Sequence, residues 1–136
     1  MNFKNFSESA TLLAQKIKEE ELSSYSLFFI NYESEEFANL VAQELNQTTS
    51  LLEDPNTLNT NNKYLIIIDR GDTLAQEYNE FTDILRQKFP SQQIVIAIPT
   101  IPSAEEGILK DVADILIYLH SEPNFFSINQ FYQEYW

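Results

Sequence analysis

The strongest constraint on this chain is a set of short, uninterrupted apolar runs. Leu27-Phe28-Phe29-Ile30 comes first, then Tyr64-Leu65-Ile66-Ile67-Ile68, Ile94-Val95-Ile96-Ala97-Ile98 and Asp114-Ile115-Leu116-Ile117-Tyr118-Leu119. They are too continuous for a strand with one wet face. Each therefore predicts a strand covered on both sides. Segments with helical spacing lie between them. Phe6, Ala10, Leu13, Ala14 and Ile17 share one helix face, with Ser7 or Ser9 available as a cap and Glu19-Glu20-Glu21 closing the segment. Ser34 is placed to cap a helix carrying Phe37, Leu40, Val41 and Leu45. A further helix runs through Ala75, Tyr78, Phe81, Ile84 and Leu85 to end near Phe89-Pro90.

Pro99 and Pro102 are expected to stop the strand that begins at Ile94, and Ser103-Ala104-Glu105-Glu106 has the form of a capping box opening a short helix. Ser127 is placed to cap a terminal helix from Ile128 to Tyr135. The stretch from Gln47 to Asn62 is rich in Asn and Thr and predicts a polar loop, with one brief extended piece at Ser50-Leu51-Leu52. Strands alternating with helices predict an α/β chain. We expect one three-layer domain over residues 1–136, built on a central, mainly parallel sheet of about four to five strands.

Composition then removes function classes. There is no cysteine, which excludes disulfides, thiolate metal sites and cysteine nucleophiles. Only two glycines occur, Gly71 and Gly107, too few for a glycine-rich phosphate loop or a dinucleotide fingerprint. A lone histidine, His120, offers little for imidazole catalysis. Twenty-one acidic residues against eight basic ones give a formal charge of −13, which repels phosphate backbones and anionic membranes. No run is long enough to span a bilayer, and Met1-Asn2-Phe3-Lys4-Asn5-Phe6 has no apolar signal core. The expectation is a soluble cytoplasmic protein without nucleic-acid or membrane partners, without a cofactor or metal, and with no catalytic residues.

Open α/β sheets bind ligands at the carboxyl ends of their strands. Three stretches fall there: Asn31-Tyr32-Glu33-Ser34, Asp69 to Thr73, and Pro99 to Ser103. The run Leu65-Ile66-Ile67-Ile68-Asp69-Arg70-Gly71-Asp72-Thr73-Leu74-Ala75 resembles the ribose-phosphate-binding motif of type I phosphoribosyltransferases. The first helix around Phe6 and Ala10, the strand Val95-Ile96-Ala97-Ile98-Pro99 and the end from Ala113-Asp114 to Phe131-Tyr132 resemble the same family in order.

The resemblance implies a phosphoribosyltransferase-like fold, with Asp69, Arg70, Gly71 and Thr73 as candidate ligand-binding residues. It also implies loss of chemistry. Arg70 stands where the family has a second acidic residue, and Leu74, Ala75 and Glu77 replace hydroxyl or glycine positions. The segment matching the family's pyrophosphate loop, Asn31 to Glu36, has no Gly, Lys or Arg and three glutamates. The plainer readings are that Asp69 pairs with Arg70 or caps the next helix, that Arg70 pairs locally, and that His120 is structural.

The C-terminal aromatics are the last feature. The expected terminal helix places Ile128, Phe131, Tyr132 and Tyr135 on one face able to dock on the sheet. Aromatic surface left over, centred on Trp136, is a candidate interface together with Phe131, Tyr132 and Tyr135. The resulting expectation is a non-catalytic phosphoribosyltransferase-like protein acting through protein contacts, as a regulatory or assembly factor or a homodimer. The alternative is a sensor or binder of a nucleotide or sugar phosphate at Asp69–Thr73. Residual transferase activity ranks last.

Overall fold

The computed structural model of the chain describes residues 1–134. Among these residues the sheet has five strands in the order β2-β1-β3-β4-β5, all parallel: β1 Tyr25–Phe29, β2 Thr49–Leu51, β3 Tyr64–Ile68, β4 Gln93–Pro102 and β5 Ile115–Glu122. Four α-helices cover it: α1 Phe6–Glu19, α2 Glu35–Glu44, α3 Ala75–Lys88 and α4 Glu106–Val112.

The layering follows from strand alternation. Along β3, Ile66 and Ile68 point into a core shared with Phe6, Leu13, Phe37 and Val41 of α1 and α2. Leu65 and Ile67 point the other way, into a core with Tyr78 and Leu85 of α3 and Leu109 and Val112 of α4. Every residue from Leu65 to Ile68 is fully buried, which is why the run contains no polar residue. The expected three-layer α/β architecture is the one observed.

Three local expectations need correction. First, β4 does not stop at Pro99 but continues to Pro102, pairing Ile98 with Tyr118 and Thr100 with His120. The Ala97 carbonyl accepts from the Asp69 amide on the β3 side. Backbone groups alternate sides, so Pro99 faces the same way as Ala97, past the end of β3. No ladder donor is needed there, and the missing N–H costs nothing. Second, Ser103 opens a 3₁₀ turn, Ser103–Glu105, rather than capping a helix. Its hydroxyl bonds to that of Ser121, 2.9 Å away.

Third, the described residues contain no terminal helix. A single 3₁₀ turn, Ile128–Phe131, gives way to extended backbone at Tyr132, which forms a parallel bridge with Phe3. The Phe3 amide donates to the Phe131 carbonyl and the Gln133 amide to the Phe3 carbonyl. Phe131 and Tyr132 are 2% and 7% exposed, so they belong to the core and offer no free surface for a partner. The Tyr132 ring meets Phe6 edge-on at 4.7 Å, and its hydroxyl lies 2.8 Å from that of buried Ser9. Aromatic burial outweighs the helical pattern because the amino-terminal segment supplies a ready strand-like partner. Tyr135 and Trp136, the other two candidate interface residues, lie outside the described residues.

The C-terminal segment is thus part of the fold, and truncating it removes core. Phe131→Ala is expected to cost about 3–5 kcal/mol in urea unfolding, as for a buried Phe elsewhere. Tyr132→Phe is expected to cost about 1 kcal/mol, because Ser9 keeps its bond to the Phe6 carbonyl.

Candidate functional site at the carboxyl ends of β1, β3 and β4

Strand order reverses between β1 and β3, and the loops leaving these strands bracket the crevice where α/β sheets bind ligands. Here the crevice is laced shut by side chains. The Asn31 amide donates to the Thr73 hydroxyl, and the Arg70 backbone amide donates to the Ser34 hydroxyl at 3.0 Å. Ser34, the expected helix cap, makes no capping bond; its side chain serves the neighbouring loop.

Asp69 organises that loop. Its side chain is entirely buried, with Oδ1 accepting from the Gly71 amide at 2.7 Å and the Thr73 amide at 3.5 Å, while Oδ2 accepts from the Thr73 hydroxyl. Desolvation raises its pKa, and the bonds from Thr73 and Gly71 oppose that rise. The Tyr78 hydroxyl is buried close by without a well-formed hydrogen bond. Desolvation first, and the Asp69 carboxylate second, push the Tyr78 pKa well above its ordinary value, so the phenol stays protonated.

The amides at the start of α3 also face acceptors. Leu74 N–H points to the Glu77 carboxylate at 3.4 Å, and Ala75 N–H to the Glu105 carboxylate at 3.3 Å. The opening of α3, a natural anion site, therefore already faces two of the protein's own anions. Arg70 turns away from the amides. Its guanidinium binds Asp72 through Nε and Nη2 at 2.6–2.9 Å and sits over the Phe6 ring, 5.9 Å from the centroid.

A cleft of about 380 Å³ opens beside the loop, with Gly71, Leu74, Pro102, Glu105, Phe126 and Ile128 among its walls. Leu74 and Phe126 are 60% and 87% exposed. Gly71 disfavours any side chain. Its φ is +124°, and a Cβ would come within 2.9 Å of Ile128 Cγ2.

The four candidate ligand residues thus fall in one loop, as expected, but Asp69 is turned inward and Arg70 is held by Asp72 rather than by Asp69. His120 Nε2 lies 3.2 Å from Glu122 Oε1, and its ring packs edge-on to Phe131 at 6.1 Å. Among the described residues, no three His, Cys, Asp or Glu side chains are grouped to hold a metal. No helix among them is long and apolar enough to cross a membrane. Sequence reasoning missed Glu105 as an amide partner, since it lies thirty residues from Ala75. Glu77, three residues from Leu74, was legible as a helix-start acid.

The strand order and layering match a known family of folds. This chain has a phosphoribosyltransferase-like fold. It is similar to TT1426 from Thermus thermophilus, with a TM-score of 0.77 and 13% identity over 100% of this chain and 92% of that one. Xanthine-guanine-hypoxanthine phosphoribosyltransferase from Helicobacter pylori aligns with a TM-score of 0.66 and 11% identity, over 90% of this chain and 86% of that one. Orotate phosphoribosyltransferase from Aeropyrum pernix aligns at 0.58 and 13%, over 82% of this chain and 68% of that one. No protein-family model matches the sequence, and no curated protein does. At such identities the likeness carries the fold alone.

Two outcomes follow for the phosphoribosyltransferase-like loop. Gly71→Ala is expected to destabilise by about 2 kcal/mol, from left-handed strain and the clash with Ile128. Gly107→Ala, with nothing within 4 Å of its added methyl, is expected to stabilise by about 0.5–1 kcal/mol, both read from denaturant midpoints. Asp69 has a folded pKa raised above the unfolded value of 3.8, so the folded state binds more protons. Wild-type stability relative to Asp69→Asn should therefore fall as pH rises from 3.8 through the folded pKa, and be level below it. Paired denaturation curves across that range measure the slope.

Proposed function

We propose that this is a non-catalytic phosphoribosyltransferase-like protein that acts through protein contacts, as a regulatory or assembly factor. The observation that carries the reading is the occupancy of the loop amides. In a phosphate-binding loop these N–H groups wait for a ligand. Here Gly71 and Thr73 donate to Asp69, Leu74 to Glu77 and Ala75 to Glu105.

Magnitudes favour the same reading. A phosphate oxygen brought about 4 Å from one carboxylate meets roughly 4 kcal/mol of repulsion at an effective surface dielectric of 20. A helix N-terminus returns about 0.3–1 kcal/mol. The one cation of the loop, Arg70, is bound to Asp72. What remains outward is apolar and acidic: Leu74 and Phe126 beside Asp72 and Glu105 around the cleft. Such a surface suits a protein segment with apolar and basic side chains better than a sugar phosphate.

The second reading, a nucleotide or sugar-phosphate binder at Asp69–Thr73, is motivated by Arg70 itself. If Asp72 released it, the guanidinium would be available to an anion. That reading expects a thermal shift with a nucleoside monophosphate that is lost in Arg70→Ala. Transferase activity ranks behind both. Calorimetry with phosphoribosyl diphosphate and magnesium decides the main proposal. No heat of binding is expected, and tight magnesium-dependent binding would overturn it.

A further inference from the structure

The two edges of the sheet are treated very differently. β2 is three residues long and continues into the polar loop, a common way to blunt an edge. β5 is eight residues long and, among the described residues, has β4 as its sole neighbour in the sheet. Its stretch Ile115 to Leu119 contains no charge and no proline, in a chain with 29 charged residues (21 acidic plus 8 basic). A strand of this kind presents alternate N–H and C=O groups outward, ready to pair.

A groove of about 310 Å³ runs along this edge, lined by Leu116, Ile117, Tyr118 and Leu119 together with Lys16 and Glu20 of the α1 end. Successive side chains of a strand point to opposite faces. A groove lined by four consecutive residues is therefore bordered by their main chain. The acids flanking the run are already engaged. Asp114 binds Arg86 and the Ile94 amide, and Glu122 binds His120 and the Asn124 amide.

We propose that β5 pairs antiparallel with β5 of a second copy of this chain, joining two five-stranded sheets into one. Lys16 and Glu20 select this occupant. They are exposed, opposite in charge and one helical turn apart beside the groove. A two-fold axis normal to the sheet through the middle of Leu116–Leu119 sets the two α1 helices side by side, antiparallel, on the same face. Lys16 of each copy then meets Glu20 of the other. A self-complementary patch of this kind is what an isologous interface requires. Two copies at −13 each repel over most of their surfaces, and the uncharged run Ile115 to Leu119 is where they can approach. The inference is independent of the proposed function, which concerns the cleft at the strand ends.

Sedimentation of the full chain at tens of micromolar tests it. A dimer is expected, with amide exchange in Leu116–Leu119 slowed relative to dilute protein. Lys16→Glu and Glu20→Lys should each weaken the dimer by about tenfold or more, a change of about 1.4 kcal/mol. The exchanged double variant, Lys16→Glu with Glu20→Lys, should restore it, because each charge again faces its opposite. Both sites are exposed, so circular dichroism should be unchanged throughout. A monomer across this range would overturn the proposal. So would a dimer indifferent to both reversals, or single losses that the exchange does not repair.

Discussion

A carboxylate with no access to water governs the functional end of this molecule. Asp69 ends the most buried strand and is held by the backbone of the loop that follows it, through Gly71 and Thr73. An ionised carboxylate in such a place is costly unless its lone pairs are filled, and here donors fill them. The geometry of the loop follows from satisfying that one group. The Gly71 amide turns back to Asp69, its positive φ redirects the chain that follows, and Thr73 points inward. Asn31 then reaches Thr73 and ties the neighbouring loop to it. Stability and site shape are therefore the same problem, and the solution leaves no loop amide of Gly71, Thr73, Leu74 or Ala75 waiting for an anion.

The C-terminal turn closes the arrangement from the other side. Ile128 packs against Gly71 so closely that a methyl group would collide, and Phe131 and Tyr132 run into the core beside Phe3 and Phe6. The segment thus supports the loop and also shapes the cleft that Phe126 and Leu74 leave exposed. A change in this turn reaches the candidate site through packing.

Much of this was legible in the residues. Four strands announced themselves by their apolar runs; β3 and β4 are buried on both faces as such runs predict, whereas β5, at the sheet edge, buries only Ile117. Gly71 stood out after the best strand, where a turn must occur. The errors have one common cause: a local pattern was overruled by a partner distant in sequence. Pro99 failed to end β4 because β3 had already ended beside it, leaving its missing N–H without consequence. Ser127 caps a helical turn as expected, but the turn stops at Phe131 because Phe3 offers backbone pairing and a place for two aromatic rings. Ser34 failed to cap α2 because Arg70 N–H lay within reach of its hydroxyl.

Residue order alone settles the layer architecture, since hydrophobic period is set residue by residue and does not depend on where neighbours lie. It also settles that the loop after β3 is acidic and poor in glycine. What that loop can do is settled only by folding. Whether Asp69 faces a ligand or the interior, whether Glu105 meets the amide of Ala75, and whether Phe131 faces water or core are questions of three-dimensional proximity. Hydrogen bonds and burial are settled between residues far apart in the chain, and no spacing along it encodes them.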